Sequence, residues 1–233
     1  MKKQIKRFVY LLLSVMFLAG AMLSLSGPAS AGTTEPLSSL TAGDTVSFAG
    51  YKWIVLDNGA TSGSSYLLMQ DALKDSSGNY ITMAFDTSLV PSFNNSTSIS
   101  SYLNSTFLNS LPQASQSLIQ DHTWDIGGNE TNGNGNESSS TVQDYIGLIS
   151  YSDYNTTYSK HISNLPNTNG WWTLTPVSGS PGGFWFVGPG GTLDYVDAND
   201  TLAGITKALR PALYLSSAIL VSGGNGGTVT GPS

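Results

Sequence analysis

None of the 233 residues of this chain is a cysteine, so whatever it folds into must be held together by packing alone. The N-terminus sharpens that constraint. Lys2, Lys3, Lys6 and Arg7 precede an apolar run from Phe8 to Ala19 that only Ser14 interrupts, and Ala29-Ser30-Ala31 follows. A basic start, an apolar stretch and small residues in that order predict a secretory signal peptide over 1–31. Exported domains of modest size commonly lean on disulfides. This one has no such framework, no thiol nucleophile and no thiolate metal ligand. About 200 residues remain beyond the leader, enough for a single sizeable core.

Charge narrows the partners. Nine basic residues less the four of the leader leave five against fifteen acidic ones, a net charge of −10 from Gly32 onward. Such a field repels phosphate backbones and anionic membrane surfaces, which excludes nucleic acid as the expected partner. No second apolar run approaches the length needed to span a bilayer. The mature chain is therefore expected to be secreted and extracellular, without membrane insertion.

The patterning predicts a polar leader over 32–39, one domain over 40–221 and a flexible Gly-rich tail over 222–233. Gly43 to Asp57 alternates with period two around Ala49-Gly50, which reads as a hairpin, and Ser65 to Gln70 reads as a third strand. Ile99, Tyr102, Leu103, Leu108 and Leu111 then follow a helical period with Ser98 as a cap and Pro112 just beyond, predicting an amphipathic helix over 98–111. A weaker helical stretch covers 113–120. Asp125 to Ser140 is rich in Gly, Asn and Ser and is expected to be a long loop. Strand signals follow at 145–150, 171–175, 183–187, 192–196 and 211–215. Strands, one or two helices and long loops predict an α+β domain built on a twisted antiparallel sheet. Trp53 of the hairpin and Leu103 and Phe107 of the helix are its expected core.

Chemistry is sparse. Ser178-Gly179-Ser180-Pro181-Gly182 lacks the first glycine of a nucleophile elbow and reads as a surface turn. His122 and His161 have no His or Glu partner four residues on, so no zinc motif forms. His122 beside Asp121 and Asp125 remains a candidate acid/base or metal group. Asn132, Asn134, Asn136 and Glu137 only partly match an oxygen-ligand loop, and Asp194, Asp197 and Asp200 would need a turn to converge on calcium. The glycines at 188, 190 and 191 lack the rest of a phosphate-binding pattern. No cofactor and no metal is expected.

The aromatic residues are more informative. Phe184 and Phe186 face one way along a strand and Trp185 the other, and Trp171 and Trp172 likewise point to opposite faces. Trp172, Trp185 and Tyr195 are therefore the candidate ligand-binding residues, as an exposed ring platform. Burial of these rings as a second small core is the competing outcome.

Several motifs together carry a resemblance. Gly43-Asp44-x-Val46-x-Phe48, Trp53-Ile-Val-Leu, Tyr102-Leu-Asn-x-x-Phe107, Asp144-Tyr-Ile-Gly-Leu-Ile-Ser150, Trp171-Trp172-x-x-Thr175-Pro176 and Arg210-Pro-Ala-Leu-Tyr-Leu215 resemble an uncharacterised domain family of exported bacterial proteins. That family is similar to the C-type lectin-like fold shared by formylglycine-generating enzymes, and the resemblance implies that fold over about Leu40 to Ile219. It transfers no activity. Formylglycine generation works through cysteines, which are absent, and the calcium-binding triplets of sugar-binding C-type lectins are absent too. The family pattern has an Arg after the tryptophan pair where this chain has Leu174. Arg210 is expected to pair with a core carboxylate such as Asp144.

The expected function is a secreted or cell-surface, non-enzymatic module that binds a carbohydrate or protein ligand. The alternatives are an extracellular hydrolase using His122, Asp121 and a serine, or a structural or interaction domain of a larger surface protein.

Overall fold

The structure, a computed structural model, describes residues 33–88, 91–128, 140–162, 165, 170–180, 182–196 and 204–231. The stretch 1–31 expected to be a signal peptide, most of the 125–140 stretch expected to be a loop, and Asp197 and Asp200 lie outside them.

The predicted hairpin pairs Thr45–Phe48 with Tyr51–Asp57. Its two turn residues, Ala49 at φ 53° and Gly50 at φ 85°, both take the left-handed region that two-residue hairpins need to match strand twist. Ser64–Met69 adds to Tyr51–Asp57, and Pro211–Ser216 adds to Ser64–Met69. Pro211–Ser216 then carries two short strands along its other edge, Ile119–Gln120 near its end and Ile146–Leu148 near its start.

On the far side of the hairpin the sequence expectation is corrected. The stretch read as a flexible tail contributes Thr228–Gly231, which lies parallel to Thr45–Phe48 and antiparallel to Leu220–Ser222. The polar leader contributes Thr34–Pro36, which closes that edge against Leu220–Ser222. Nine strands thus form one sheet.

A second sheet runs in the order Leu193–Val196, Phe184–Val187, Trp171–Pro176, Lys207–Ala208, Thr82–Met83. The third is a hairpin of His122–Asp125 with Thr141–Asp144. Both of these strands fall where no strand was expected.

With 40% of the described residues in strands and 19% helical, spread over three sheets, the domain is mostly β. That corrects the expected α+β class, and no C-type lectin-like arrangement is shown. Helical segments are short and brace the sheets. The longest runs over 99–110, close to its expected bounds, but Tyr102–Phe107 is wound as a π-helix between Ile99–Ser101 and Leu108–Ser110. Its buried apolar residues Ile99, Leu103 and Phe107 are spaced by four. At 3.6 residues per turn such a row drifts one way around the helix and in a π turn, wider than four residues, it drifts the other way, so the two windings in succession keep it on one side. The expected burial of Trp53, Leu103 and Phe107 is met, and the Trp53 indole donates to the Phe48 carbonyl at 3.0 Å.

Arg210 corrects another expectation. It is fully buried, donates to the carbonyls of Met69 and Gln70, and lies 4.9 Å from the Trp171 ring centroid. Burial lowers its pKa to about 10. Asp144 instead accepts a hydrogen bond from Ser100 Oγ at 2.6 Å.

Candidate functional site

The expected aromatic platform does not form. Trp171–Pro176 is the middle strand of its sheet and is buried on both faces. Its register pairs Trp172 with Phe186, whereas Trp185 pairs with Tyr195. Cross-strand partners share a face, so Trp172 and Trp185 point to opposite sides. Trp172 is inaccessible, packs edge-on to Phe85 and donates to the Met83 carbonyl. Trp185 is 4% exposed in a small cluster with Tyr151 and Val177, its ring 5.3 Å from that of Tyr195. Of the three, Tyr195 alone is exposed, at 40%. Asp194 is exposed beside it. The Ser178–Gly179 turn joins two strands of this sheet, as expected.

A more convergent arrangement surrounds His122. In the large sheet Tyr66 and Tyr214 are direct cross-strand partners, and their rings stack at 4.6 Å and 8°. His122, arriving from the separate hairpin, stacks on Tyr214 at 3.6 Å and 19°. The result is a column of three rings with Tyr214 in the middle. Trp124, two residues along the same strand and so on the same face, meets Tyr66, Tyr214 and His122 edge-on. Tyr158 meets Tyr66 edge-on from the bend between the helical segments Asp153–Thr157 and Ser159–Ile162.

Local sequence explains how Trp124 seats. Its indole donates to the Asp144 carbonyl at 2.8 Å, and its six-membered ring rests on Gly147. A Cβ there would come within 2.5 Å of that ring, so glycine is the residue that admits it. The strand bearing Gly147 is latched from behind by Asn104. Its amide donates to the Ile146 carbonyl at 2.8 Å and its oxygen accepts the Ile146 N–H at 2.9 Å, as a neighbouring strand would.

Beside this column lies a cleft of about 280 Å³. Tyr66, His122, Thr123, Trp124, Asp125, Ser150, Ser152, Asp153 and Tyr214 line it, with Leu148 and Leu174 as apolar floor. Asp153 opens the π-wound turn Asp153–Thr157, and its backbone N–H donates to Ser150 Oγ at 3.0 Å. π turns recur at functional sites.

The electrostatics have one sign. Burial, reinforced by the Asp153 charge, raises the Tyr66 phenol well above its ordinary value. The same two causes raise Tyr214 and push Tyr158 up to about 12. Burial lowers the His122 pKa despite nearby Asp121, so the imidazole is predominantly neutral at pH 7.

His122 stacks; among the described residues it makes no hydrogen bond to a serine, which a nucleophilic pair requires. Also among the described residues, no three His, Asp or Glu side chains gather as a metal site. His161 sits over Gly43.

A larger groove of about 450 Å³ runs past Tyr51, Lys52, Met69, Asp71 and Lys74. Its Lys74 and Asp71 pair with each other at 2.5 Å, so it presents fewer uncommitted polar groups than the cleft.

The sequence singles out His122 with Asp121 and Asp125, of which His122 and Asp125 line the cleft, but not Tyr66, Trp124, Asp153 or Tyr214. The alternation His122-x-Trp124 and the pairing-sized polar segment Thr141–Asp144 were the available signals. No helix among the described residues is long and apolar enough to cross a membrane.

No curated protein matches the chain, and no solved structure does. A family model matches residues 63–217, well over half of the chain, a stretch that holds every residue of the cleft. The chain belongs to the DUF6273 family, a domain of unknown function.

Proposed function

We propose that this is the ligand-binding domain of an exported protein, without catalytic activity of its own, and that a carbohydrate or protein ligand enters the cleft beside His122. The observation that carries the reading is the convergence of Tyr66, His122, Trp124 and Tyr214 on a concave surface edged by hydroxyls and carboxylates. Binding sites are concave, with a few oriented polar groups among aromatic and apolar ones. The three-ring column and the Asn104 latch fix those groups before any ligand arrives, which reduces the entropy cost of binding. The leader over 1–31 supports export, and the scarcity of charge beyond it fits a surface covered by Ser, Thr, Asn and Gly.

A glycan and peptide array probed with the mature domain and with His122→Ala tests this. The expected result is retention of a defined ligand by the wild type, lost in His122→Ala while the melting temperature stays within a few degrees. Equal retention by both proteins would place the ligand elsewhere.

A further inference from the structure

Beyond Ala31 the chain has five basic residues, Lys52, Lys74, Lys160, Lys207 and Arg210, against fifteen acidic ones. Three of the five meet at the groove of about 450 Å³ that runs past Tyr51. Lys52 and Lys74 line it, and the buried Arg210 donates to the carbonyls of Met69 and Gln70, which line it too. Asp71 is the one carboxylate in that lining, and it is committed internally. It accepts from Lys74 Nζ at 2.5 Å, the Tyr80 hydroxyl at 3.1 Å and the Ala72 N–H at 2.9 Å. Asp75, the next acidic residue, turns its carboxylate into its own loop, where Ser77 and Asn79 donate to it. Lys52 is exposed and makes no ion pair among the described residues. A positive surplus thus sits at this groove, in a chain whose net charge beyond residue 31 is −10. That wider field is screened within about 10 Å at 0.1 M salt, so the nearest charges decide what the groove admits.

The rest of the lining is mostly apolar. Met69 and Ala72 are buried, and the Tyr51 ring is held edge-on against Phe107 at 5.6 Å. Small-molecule sites combine an apolar lining with a few charged or polar groups that fix orientation. We infer that the groove is a second binding site, independent of the cleft beside His122, and that it takes a small organic anion, a carboxylate carried on an apolar chain, with its charge directed to Lys52. The Lys52 ammonium donates to the carboxylate, while the chain leaves water against Met69, Ala72 and Tyr51. A cation is repelled by the same lysines. A small hydrophilic anion leaves the apolar lining wet, and a neutral alcohol leaves Lys52 unpaired.

The test is calorimetric titration of the chain from Gly32 onward with octanoate, 1-octanol, n-octylamine and acetate. Octanoate is expected to bind at least about tenfold tighter than each of the other three. Lys52→Gln removes the charge at an exposed position and is expected to bring octanoate to the level of 1-octanol with the melting temperature unchanged, whereas Lys52→Arg retains the preference. In the ¹⁵N spectrum octanoate should move the backbone amides of Lys52 and Ala72 and leave the Trp124 indole still. Octanol or octylamine binding as tightly as octanoate would overturn the anion, and acetate binding as tightly would overturn the apolar chain. An undiminished preference in Lys52→Gln would overturn the role of that lysine. Silence from octanoate, or movement centred on Trp124, would overturn the groove as its site. None of these outcomes touches the array test of the His122 cleft, so the two readings fail separately.

Discussion

Single residues carry much of the stability. Asp86 is fully buried, and burial opposes its ionisation. Hydrogen bonds from Thr97 Oγ1, the Ser92 N–H, Asn95 Nδ2 and Ser88 outweigh that and hold its carboxyl down to about 2. Its folded pKa lies below the unfolded value of 3.8, so its contribution is complete above about pH 4 and is lost as pH falls toward 2. The ceiling on that contribution is about 2 kcal/mol. Asp86→Asn is expected to lower stability at pH 7 and to flatten the acid limb of an unfolding-versus-pH curve between pH 4 and 2; an unchanged limb would remove Asp86 from acid sensitivity. Ala49 gives a prediction of opposite sign. It occupies a left-handed position in a turn that favours Asn-Gly, so Ala49→Asn should raise stability by about 0.5–1 kcal/mol in urea denaturation. Trp185 was legible as opposite in face to Phe184 and Phe186, but alternation tells faces apart without saying which are wet. With 4% exposure, Trp185→Ala should cost about 3–5 kcal/mol, and a cost under 1 kcal/mol would contradict its burial.

Between elements, the latch and the edge are the vulnerable points. Asn104 satisfies both backbone groups of Ile146, and an unsatisfied buried backbone group costs about 1–3 kcal/mol. Asn104→Leu should therefore lose roughly 2–4 kcal/mol and loosen Ile146–Leu148, seen as faster amide exchange there; unchanged exchange would contradict the latch. The strands Tyr51–Asp57 and Ser64–Met69 were legible almost to the residue, as was the helix around Leu103 and Phe107. The π winding was not, because apolar spacing reports which residues face inward and not how many make a turn. Thr228–Gly231 was hidden by composition. Its Gly-rich flanks read as a tail, and its β-structure comes from pairing with Thr45–Phe48, more than 180 positions away in sequence. Ending the chain at Ser222 should destabilise the first hairpin measurably, whereas a flexible tail would be removed without cost.

For the whole molecule, no cysteine, few charges and a dense aromatic interior fit together: what disulfides would constrain is held by rings packed across sheets. The mostly β class escaped a reading that weighted one clear helix against many short strand signals. The cleft escaped it because Tyr66, His122 with Trp124, Asp153 and Tyr214 come from four separate segments, brought together by long-range pairing that no local motif encodes. The most direct check follows the five indole N–H resonances of the ¹⁵N-labelled chain from Gly32 onward, those of Trp53, Trp124, Trp171, Trp172 and Trp185, while an array-selected ligand is added. Movement of the Trp124 resonance with the other four nearly still is the predicted result. A shift centred on Trp185, with Trp124 unmoved, would contradict the His122 cleft and place the ligand on the Tyr195 face instead.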